Sequence, residues 1–249
     1  MKRPTLYAHR GFSGKYPENS PLAFRTVLEE TKADGIESDV HISKDGVLVI
    51  MHDPTLERTS NGKGWIKDHT YEELLSLDIG SWMSPEFAGE HIWTLGELLD
   101  FIKETGLLLN LELKNYEVFY EGLEERVIEE ISARKMKDVV AISSFNHVSM
   151  QRFKELDPEI ETGLLYDKPY LDMHSYIKRS NADNMHPRYM LLQYQPELVE
   201  LFHERGMKIN TWTVDGPTDI QDMLRLGVDG IIANHADRLG DVTDAFFAE

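Results

Sequence analysis

Two carboxylates, Glu37 and Asp39, alternate with apolar or small residues in the segment 36–42. Residues two apart in a β-strand point to the same face, so both side chains lie on one side of the predicted strand. A pair of carboxylates on one face is costly to bury unless water or a cation compensates the charge. The two interpretations are therefore a solvated pair at a rim and a cation site.

A second predicted strand, 107–113, carries the same kind of polar face. Leucines alternate with polar residues, and Glu112 and Lys114 fall together at the carboxyl end of the segment. Carboxylates that converge at one point repel each other unless they are protonated or bind a cation. The repetition favours the cation site, and ligation by oxygen alone selects one hard ion, Mg²⁺ or Ca²⁺. The predicted ligands are Glu37, Asp39 and Glu112.

Histidines close two other extended segments beside charged neighbours. His9 is followed by Arg10 and Gly11, and His52 is followed by Asp53. Imidazole titrates near neutrality, so His9 and His52 can divide the roles of general acid and general base. The planar guanidinium of Arg10 suits phosphate oxygens. The pattern indicates acid–base chemistry at an anionic phosphate group, although a single histidine at a strand end is more commonly structural.

Other candidates have weaker signals. Glu18 and Asn19 precede a helix and serve as loop and cap residues, or line a site that follows the first strand. Trp212 is interpreted either as a core residue or as an apolar wall of a site, which would contact an alkyl or glycerol part of a substrate. The remaining histidines considered are interpreted as structural or surface residues: His41, His69, His91, His147, His174, His203 and His235.

Composition restricts the classes of function. The chain has 249 residues and no cysteine, which excludes a disulfide scaffold, a thiolate metal site and a cysteine nucleophile. The formal net charge of −18 opposes binding to nucleic acid and stable association with anionic membranes. The N-terminal segment has no apolar stretch typical of a signal peptide, so a cytoplasmic location is expected. The sequence carries no signal for an oligomeric state.

Short apolar strands alternate with amphipathic helices along the chain, which is typical of βα units around a parallel sheet. Roughly eight such units in about 250 residues predict a single TIM (β/α)8 barrel over residues 1–249. A doubly wound open sheet is the alternative, but its glycine-rich fingerprint is missing. The predicted strands are 6–9, 36–42, 107–113, 139–143, 161–165, 182–186, 208–214 and 228–233. The predicted helices lie near 118–134, 147–156, 171–179, 196–205, 217–226 and 237–247.

The first predicted helix has recognisable ends. Ser20 is placed to cap it, Pro21 occupies its first position, and Gly35 is expected to stop it. The segment that follows the second strand departs from the repeat, because it combines turn residues with short helical pieces and two capping-box patterns. We predict that residues 54–93 form a small inserted subdomain over one end of the barrel.

Taken in order, these motifs resemble the motif set of the glycerophosphodiester phosphodiesterase family. Each tripeptide is weak by itself, but the set spans almost the whole chain with ordinary spacing. The segments 53–59 and 84–89 also resemble the insertion of that family. Small departures occur at Trp93 and His41, outside the catalytic motifs. The motifs are His9-Arg10-Gly11, Pro17-Glu18-Asn19-Ser20, Glu37-x-Asp39, His52-Asp53, Glu112-x-Lys114 and the strand carrying Trp212.

The resemblance implies an enzyme that uses a divalent cation. Its substrates are deacylated phospholipid head-group diesters, a class of small molecules, and its products are glycerol 3-phosphate and an alcohol. The implied roles are metal ligation by Glu37, Asp39 and Glu112, acid–base catalysis by His9 and His52, and phosphate binding by Arg10 and Lys114.

Alternatives remain at the level of substrate and of class. The same chemistry on an acylated lipid gives an enzyme like lysophospholipase D or sphingomyelinase D, although no basic amphipathic helix suited to a membrane surface is present. A non-catalytic glycerophosphodiester-binding barrel is the other alternative, but a binding protein has no evident need for both His9 and His52. The nucleophile is either water or the glycerol 2-hydroxyl of the substrate.

Overall fold

A closed barrel of parallel strands forms the centre of the molecule, for which a computed structural model describes residues 2–248. The strands are β1 (Thr5–His9), β2 (Gly35–Ile42), β3 (Leu48–Ile50), β4 (Leu108–Leu113), β5 (Val140–Ser144), β6 (Glu161–Tyr166), β7 (Asn184–Pro187), β8 (Lys208–Thr211) and β9 (Gly230–Ala233). Their order is β1-β2-β4-β5-β6-β7-β8-β9, and β9 pairs back onto β1. β3 pairs antiparallel with β2 outside this ring.

Helices follow the barrel strands and cover the sheet. They are α1 (Pro21–Glu30), α2 (Tyr71–Leu75), α3 (Leu95–Thr105), α4 (Leu123–Arg134), α5 (His147–Leu156), α6 (Met173–Arg179), α7 (Tyr189–Tyr194), α8 (Glu197–His203), α9 (Pro217–Leu226) and α10 (Ala236–Ala248). The predicted TIM barrel is confirmed, and the open doubly wound alternative is wrong because β9 closes onto β1. The short helix α7 was not predicted.

The ends of α1 confirm one prediction and correct another. The Ser20 hydroxyl accepts a hydrogen bond from the Ala23 amide, and Pro21 is the first helical residue. Gly35 does not end the helix, which stops at Glu30. Gly35 instead begins β2, where a Cβ atom would lie 2.6 Å from the Leu108 carbonyl oxygen. Close approach of neighbouring strands, rather than helix termination, therefore explains this glycine.

The segment between β3 and α3 has a small hydrophobic cluster of its own. Besides α2, it contains 3₁₀ turns at Ile66–Asp68 and Pro85–Phe87. Both predicted capping boxes, at the starts of α2 and α3, are formed. The cluster joins the segment to the end of β3 and comprises Val49, Met51, Leu56, Ile66, Leu74, Ile79 and Ile92.

Several contacts tie this segment to the loop after β1 and to the start of α1. A Glu90 carboxylate accepts a hydrogen bond from the Leu22 amide at 3.0 Å, at the start of α1. The rings of Tyr16 and Phe87 meet edge to face, with centroids 5.7 Å apart. The segment is thereby held beside the carboxyl ends of β1 and β2, where the candidate catalytic residues lie.

Candidate active site

Three buried carboxylates meet at the carboxyl ends of β2 and β4. Asp39 and Glu112 are register partners in the parallel ladder, and Glu37 lies two residues before Asp39 on the same face. One oxygen from each carboxylate lies within 4.8 Å of the others. The period-two alternation that relates Glu37 to Asp39 and the pairing of β2 with β4 together produce this cluster.

Burial and neighbouring charges shift the pKa values of the three carboxylates in different directions. Burial raises the pKa of Glu37 well above its usual range, and the neighbouring Asp39 and Glu112 raise it further. Burial likewise raises the pKa of Glu112. Burial also acts to raise the pKa of Asp39, but the positive charges of Lys114 and Arg10 outweigh it and hold that pKa below its usual range.

The Asp39 side chain on β2 is held in one orientation. The Asn19 side-chain amide donates to Asp39 Oδ2 at 2.8 Å, and the Ser38 hydroxyl fixes Asn19 by donating to its carbonyl oxygen. Asp39 Oδ1 is buried without a hydrogen-bond partner among residues 2–248. A buried carboxylate oxygen without a hydrogen bond, in a group of three carboxylates whose oxygens lie within 4.8 Å of one another, fits a divalent cation.

Lys114 lies among these carboxylates. Its ammonium group donates to Glu112 Oε1 at 2.9 Å and lies 3.5 Å from Asp39 Oδ1, and only 3% of the residue is exposed. Burial acts to lower the Lys114 pKa, but Glu112 and Asp39 raise it above its usual range, so the side chain stays charged. The residue therefore supplies a fixed positive charge beside two of the predicted metal ligands, Asp39 and Glu112.

His9 ends β1 at the edge of the carboxylate cluster. Its Nδ1 lies 2.6 Å from Asn234 Oδ1, and its Nε2 lies 3.8 Å from Glu37 Oε2. Burial, reinforced by the charge of Arg10, lowers the pKa of His9 to about 4. The ring is therefore neutral at neutral pH, and its Nε2 faces the carboxylates.

His52 is held by a chain of charged groups. Its Nδ1 lies 2.6 Å from Asp53 Oδ1, and Arg58 donates to both oxygens of Asp53. The same guanidinium donates to both oxygens of Glu18 at 2.7 and 2.8 Å. Below the site, His41 Nε2 donates to the His52 carbonyl oxygen at 3.0 Å. Arg58 lies in the segment 53–59, and its position between Asp53 and Glu18 was not predicted.

Arg10 occupies the turn after β1 with a left-handed φ of 55°. Its backbone amide donates to Glu37 Oε2 at 3.1 Å, and its guanidinium donates to Glu18 at 2.8 Å. Its Nε lies 3.6 Å from Asp39 Oδ2 and has no hydrogen-bond partner among the described residues. Arg10 thus faces the carboxylates with one donor unused.

A cleft opens above the carboxylates, and aromatic rings form one side of it. Trp212 follows β8 and donates from its indole nitrogen to the His186 carbonyl oxygen at 2.8 Å, while Phe145 packs edge to face against it. Tyr116 also packs against Phe145. Asn110 and Phe145 were not predicted as lining residues. The lining residues are His9, Arg10, Glu37, His52, Asn110, Glu112, Phe145, Leu165, Trp212, Thr213 and Ile232.

Comparison with known proteins identifies the family. The sequence model of the glycerophosphoryl diester phosphodiesterase family matches residues 9–238. The chain belongs to this family. A glycerophosphodiester phosphodiesterase of Caldanaerobacter subterraneus subsp. tengcongensis is 42% identical over 234 residues, with 94% of this chain and 95% of the relative covered. A second, from Bacillus altitudinis, is 39% identical with the same coverage. The family and the enzyme class predicted from the motifs are confirmed.

Solved structures of glycerophosphodiester phosphodiesterases share the fold. A phosphodiesterase of Oleispira antarctica, in complex with the product sn-glycerol-3-phosphate, superposes with a TM-score of 0.87 at 29% identity over 97% of each chain. A glycerophosphodiester phosphodiesterase from Agrobacterium tumefaciens str. C58 gives a TM-score of 0.82 at 25% identity, covering 96% of this chain and 99% of that one. A separate observation concerns membranes: none of the helices within residues 2–248 has the length and apolar character needed to span a bilayer.

Proposed function

We propose that this family member hydrolyses glycerophosphodiesters to glycerol 3-phosphate and an alcohol, using one Mg²⁺ or Ca²⁺ ion held by Glu37, Asp39 and Glu112. The observation that carries the proposal is the buried carboxylate cluster, with oxygens within 4.8 Å of one another, in a cleft that also exposes His9 and His52. The product bound to the Oleispira antarctica structure supports the same substrate class. The net charge of −18 disfavours nucleic acid as the diester substrate.

Glu37, Asp39 and Glu112 would hold the divalent ion, which would supply Lewis-acid polarisation of the phosphoryl group. Arg10 and Lys114 place two permanent positive charges beside the same carboxylates, where they stabilise negative charge that develops on the phosphoryl group. Asn19 holds Asp39 in one orientation, because the Asn19 side-chain amide is itself fixed by the Ser38 hydroxyl. The substrate anion is thus received by charges that are positioned before it arrives.

The two histidines divide the proton transfers. Each has its Nδ1 at an oxygen of the protein, Asn234 for His9 and Asp53 for His52, so each can present Nε2 to the cleft. One Nε2 accepts the proton of the attacking hydroxyl group, and the other donates a proton to the leaving alkoxide. Phe145 and Trp212 cover one side of the cleft and limit the access of water to the reacting bond.

The test is an assay with glycerophosphocholine in which choline and glycerol 3-phosphate are both quantified. We expect both products in equal amounts, loss of activity with EDTA, and recovery on addition of Mg²⁺ or Ca²⁺. His9→Ala and His52→Ala should each lower kcat by about 100-fold or more, because a positioned acid or base contributes that much. Near-native turnover by either variant contradicts the acid–base assignment.

A matched control distinguishes the loss of a predicted metal ligand from the loss of any surface carboxylate. Glu112→Gln should abolish the activation by divalent ions, whereas Glu129→Gln on the exposed face of α4 should leave it unchanged. Lysophosphatidylcholine serves as the competing substrate in the same assay. Faster release of choline from the acylated lipid than from glycerophosphocholine would assign the enzyme to the lysophospholipase D-like alternative.

A further inference from the structure

Two residues behind His9, on loops that follow β8 and β9, form a hydrogen-bonded pair. Asp215 Oδ2 accepts from Asn234 Nδ2 at 2.7 Å. Asp215 Oδ1 accepts from the backbone amides of Asn234 and His235 at 2.8 and 3.1 Å. The carboxylate is therefore fixed by three donors, and the motifs predicted from the sequence include neither Asp215 nor Asn234.

The pair determines which way the Asn234 amide faces. A carboxylate only accepts hydrogen bonds, so the NH₂ group of Asn234 has to face Asp215, and the carbonyl oxygen then faces the other way. That oxygen lies 2.6 Å from His9 Nδ1. Because a carbonyl oxygen cannot donate, His9 Nδ1 must carry the hydrogen, and the lone pair of the neutral ring lies on Nε2.

We propose that Asp215 and Asn234 are positioning residues that select the catalytic tautomer of His9. The inference rests on the proposed function, in which His9 Nε2 exchanges a proton with the substrate. As a base, the ring takes the hydroxyl proton on Nε2 and keeps its Nδ1 hydrogen on Asn234. As an acid, the imidazolium releases the Nε2 proton to the leaving alkoxide and returns to the same neutral form. Either role uses the tautomer that Asn234 selects, whereas the opposite tautomer has no lone pair on Nε2.

The decisive variant is Asp215→Asn. Its single side-chain oxygen is retained by the two backbone amides, so its NH₂ group faces Asn234 and turns the Asn234 amide around. Asn234 then donates to His9 Nδ1, which moves the ring hydrogen to Nε2. We expect kcat to fall by about 10-fold or more with little change in KM, because proton transfer rather than binding is affected.

The double variant Asp215→Asn/Asn234→Asp restores a hydrogen-bond acceptor opposite His9 Nδ1. The amide introduced at position 215 would donate to the carboxylate introduced at position 234. That carboxylate would accept from His9 Nδ1, as Asn234 Oδ1 does in the natural protein, so we expect kcat to recover most of the loss. A purely structural role of Asp215 predicts instead that two substitutions are at least as damaging as one. The control is Asp237→Asn, an equal change of charge on the exposed first turn of α10.

The tautomer is read directly, without activity, from the ¹⁵N chemical shifts of the histidine rings at neutral pH. The His9 signals are assigned by comparison with His9→Gln. Hydrogen on Nδ1 in the natural protein and in the double variant, and on Nε2 in Asp215→Asn, is the expected result. An unchanged His9 tautomer in Asp215→Asn overturns the proposal, whatever the activity of that variant.

A second variant covers the case in which Asp215→Asn fails to fold. Asn234→Ala keeps the hydrogen bonds that the backbone amides donate to Asp215, but it removes the oxygen that accepts from His9 Nδ1. A mixture of the two His9 tautomers and a lower kcat are therefore expected. A pure Nδ1 tautomer with native kcat in this variant contradicts the proposal. Should the natural protein fail to cleave glycerophosphocholine, the proposed function is wrong, while the ring spectra still decide whether Asp215 and Asn234 set the tautomer.

Discussion

At the scale of single residues, the site is a balance of buried charge. Glu37, Asp39 and Glu112 bring carboxylates into a space from which water is largely excluded, and each is less than a tenth exposed. Lys114 lies 2.9 Å from Glu112, and Arg10 lies 3.6 Å from Asp39. A buried carboxylate that loses its partner becomes strongly destabilising. Lys114 therefore has a structural role in the metal-free protein besides its proposed role at the phosphate.

This dual role predicts an effect of Lys114→Met on folding that depends on the metal. In EDTA, the free energy of unfolding should fall by roughly 3 kcal/mol or more, because Glu112 and Asp39 lose their counter-charge. Saturating Mg²⁺ or Ca²⁺ should recover part of that loss by supplying positive charge at the same place. Urea denaturation with and without the ion measures both values. Lys67→Met, at an exposed ion pair, should cost less than about 1 kcal/mol in either condition. An equal loss for Lys114→Met with and without the ion would contradict the argument.

At the scale of elements, the segment between β3 and α3 contributes directly to the site through Arg58. This guanidinium bridges Asp53, which holds His52, and Glu18, which holds Arg10. The segment therefore fixes two of the residues proposed to act on the substrate. Its own hydrophobic cluster and its contacts to the start of α1 give it the rigidity that this role requires.

The bridge predicts that Arg58→Lys is not a conservative change. A lysine keeps the charge but cannot donate through a planar fork to Asp53 and Glu18 together. We expect kcat to fall by about 10-fold through looser placement of His52, on the scale seen when groups that orient a site are lost. Steady-state kinetics with glycerophosphocholine measure the change. Arg126→Lys, exposed on α4, is the control and should behave as the natural protein. Native kcat for Arg58→Lys would show that the bridge does not orient His52.

The elements also show what the sequence can and cannot predict. Period-two alternation places Glu37 with Asp39 and puts Glu112 on the polar face of its own strand, so the ligand residues could be predicted once the repeated strands indicated a barrel that pairs β2 with β4. Asn234 reaches His9 only because the barrel closes β9 onto β1, and no local pattern encodes that contact. Arg58 was overlooked for the same reason, since its partner Glu18 lies forty residues away along the chain.

Smaller errors have local causes. Gly35 fits the pattern of a helix stop, but it serves the close approach of β2 to β4, which depends on a contact with Leu108. Helix α7 was missed because six residues are too short for a helical period to stand out from a loop. Both errors leave the predicted barrel intact, because the fold depends on the repeated strands rather than on exact ends.

At the scale of the whole molecule, a histidine buried in the barrel makes stability depend on pH. His186 on β7 is fully buried, and burial lowers its pKa to about 3. In the unfolded chain its pKa is about 6.5, so between these values the unfolded state binds the proton and the folded state does not. The contribution of neutral His186 to the free energy of unfolding is therefore fully present above about pH 6.5 and is lost as the pH decreases towards 3.

The predicted size follows from the linkage. Lowering the pH from 7 to 5 should reduce the free energy of unfolding by on the order of 2 kcal/mol through this residue, since each unit between the two pKa values contributes about 1.4 kcal/mol. The glutamine in His186→Gln can still accept a hydrogen bond from Asn210, and this variant should lose less unfolding free energy between pH 7 and pH 5. Urea denaturation at the two pH values gives the comparison. The same loss in the variant would assign the acid sensitivity to other groups.

The whole molecule should also respond to the cation as a folding ligand, because the cluster of Glu37, Asp39 and Glu112 exists only when β2 and β4 are paired. An ion at 100 times its dissociation constant stabilises the folded state by about 2.7 kcal/mol, which raises the Tm of a chain of this size by roughly 5 to 10 °C. The net charge of −18 offers many weaker surface sites, and the variants separate these from the cluster. Glu112→Gln should lose the shift at low ion concentration, whereas Glu129→Gln should retain it. A shift that survives in Glu112→Gln would place the stabilising ion on the acidic surface instead of between the strands.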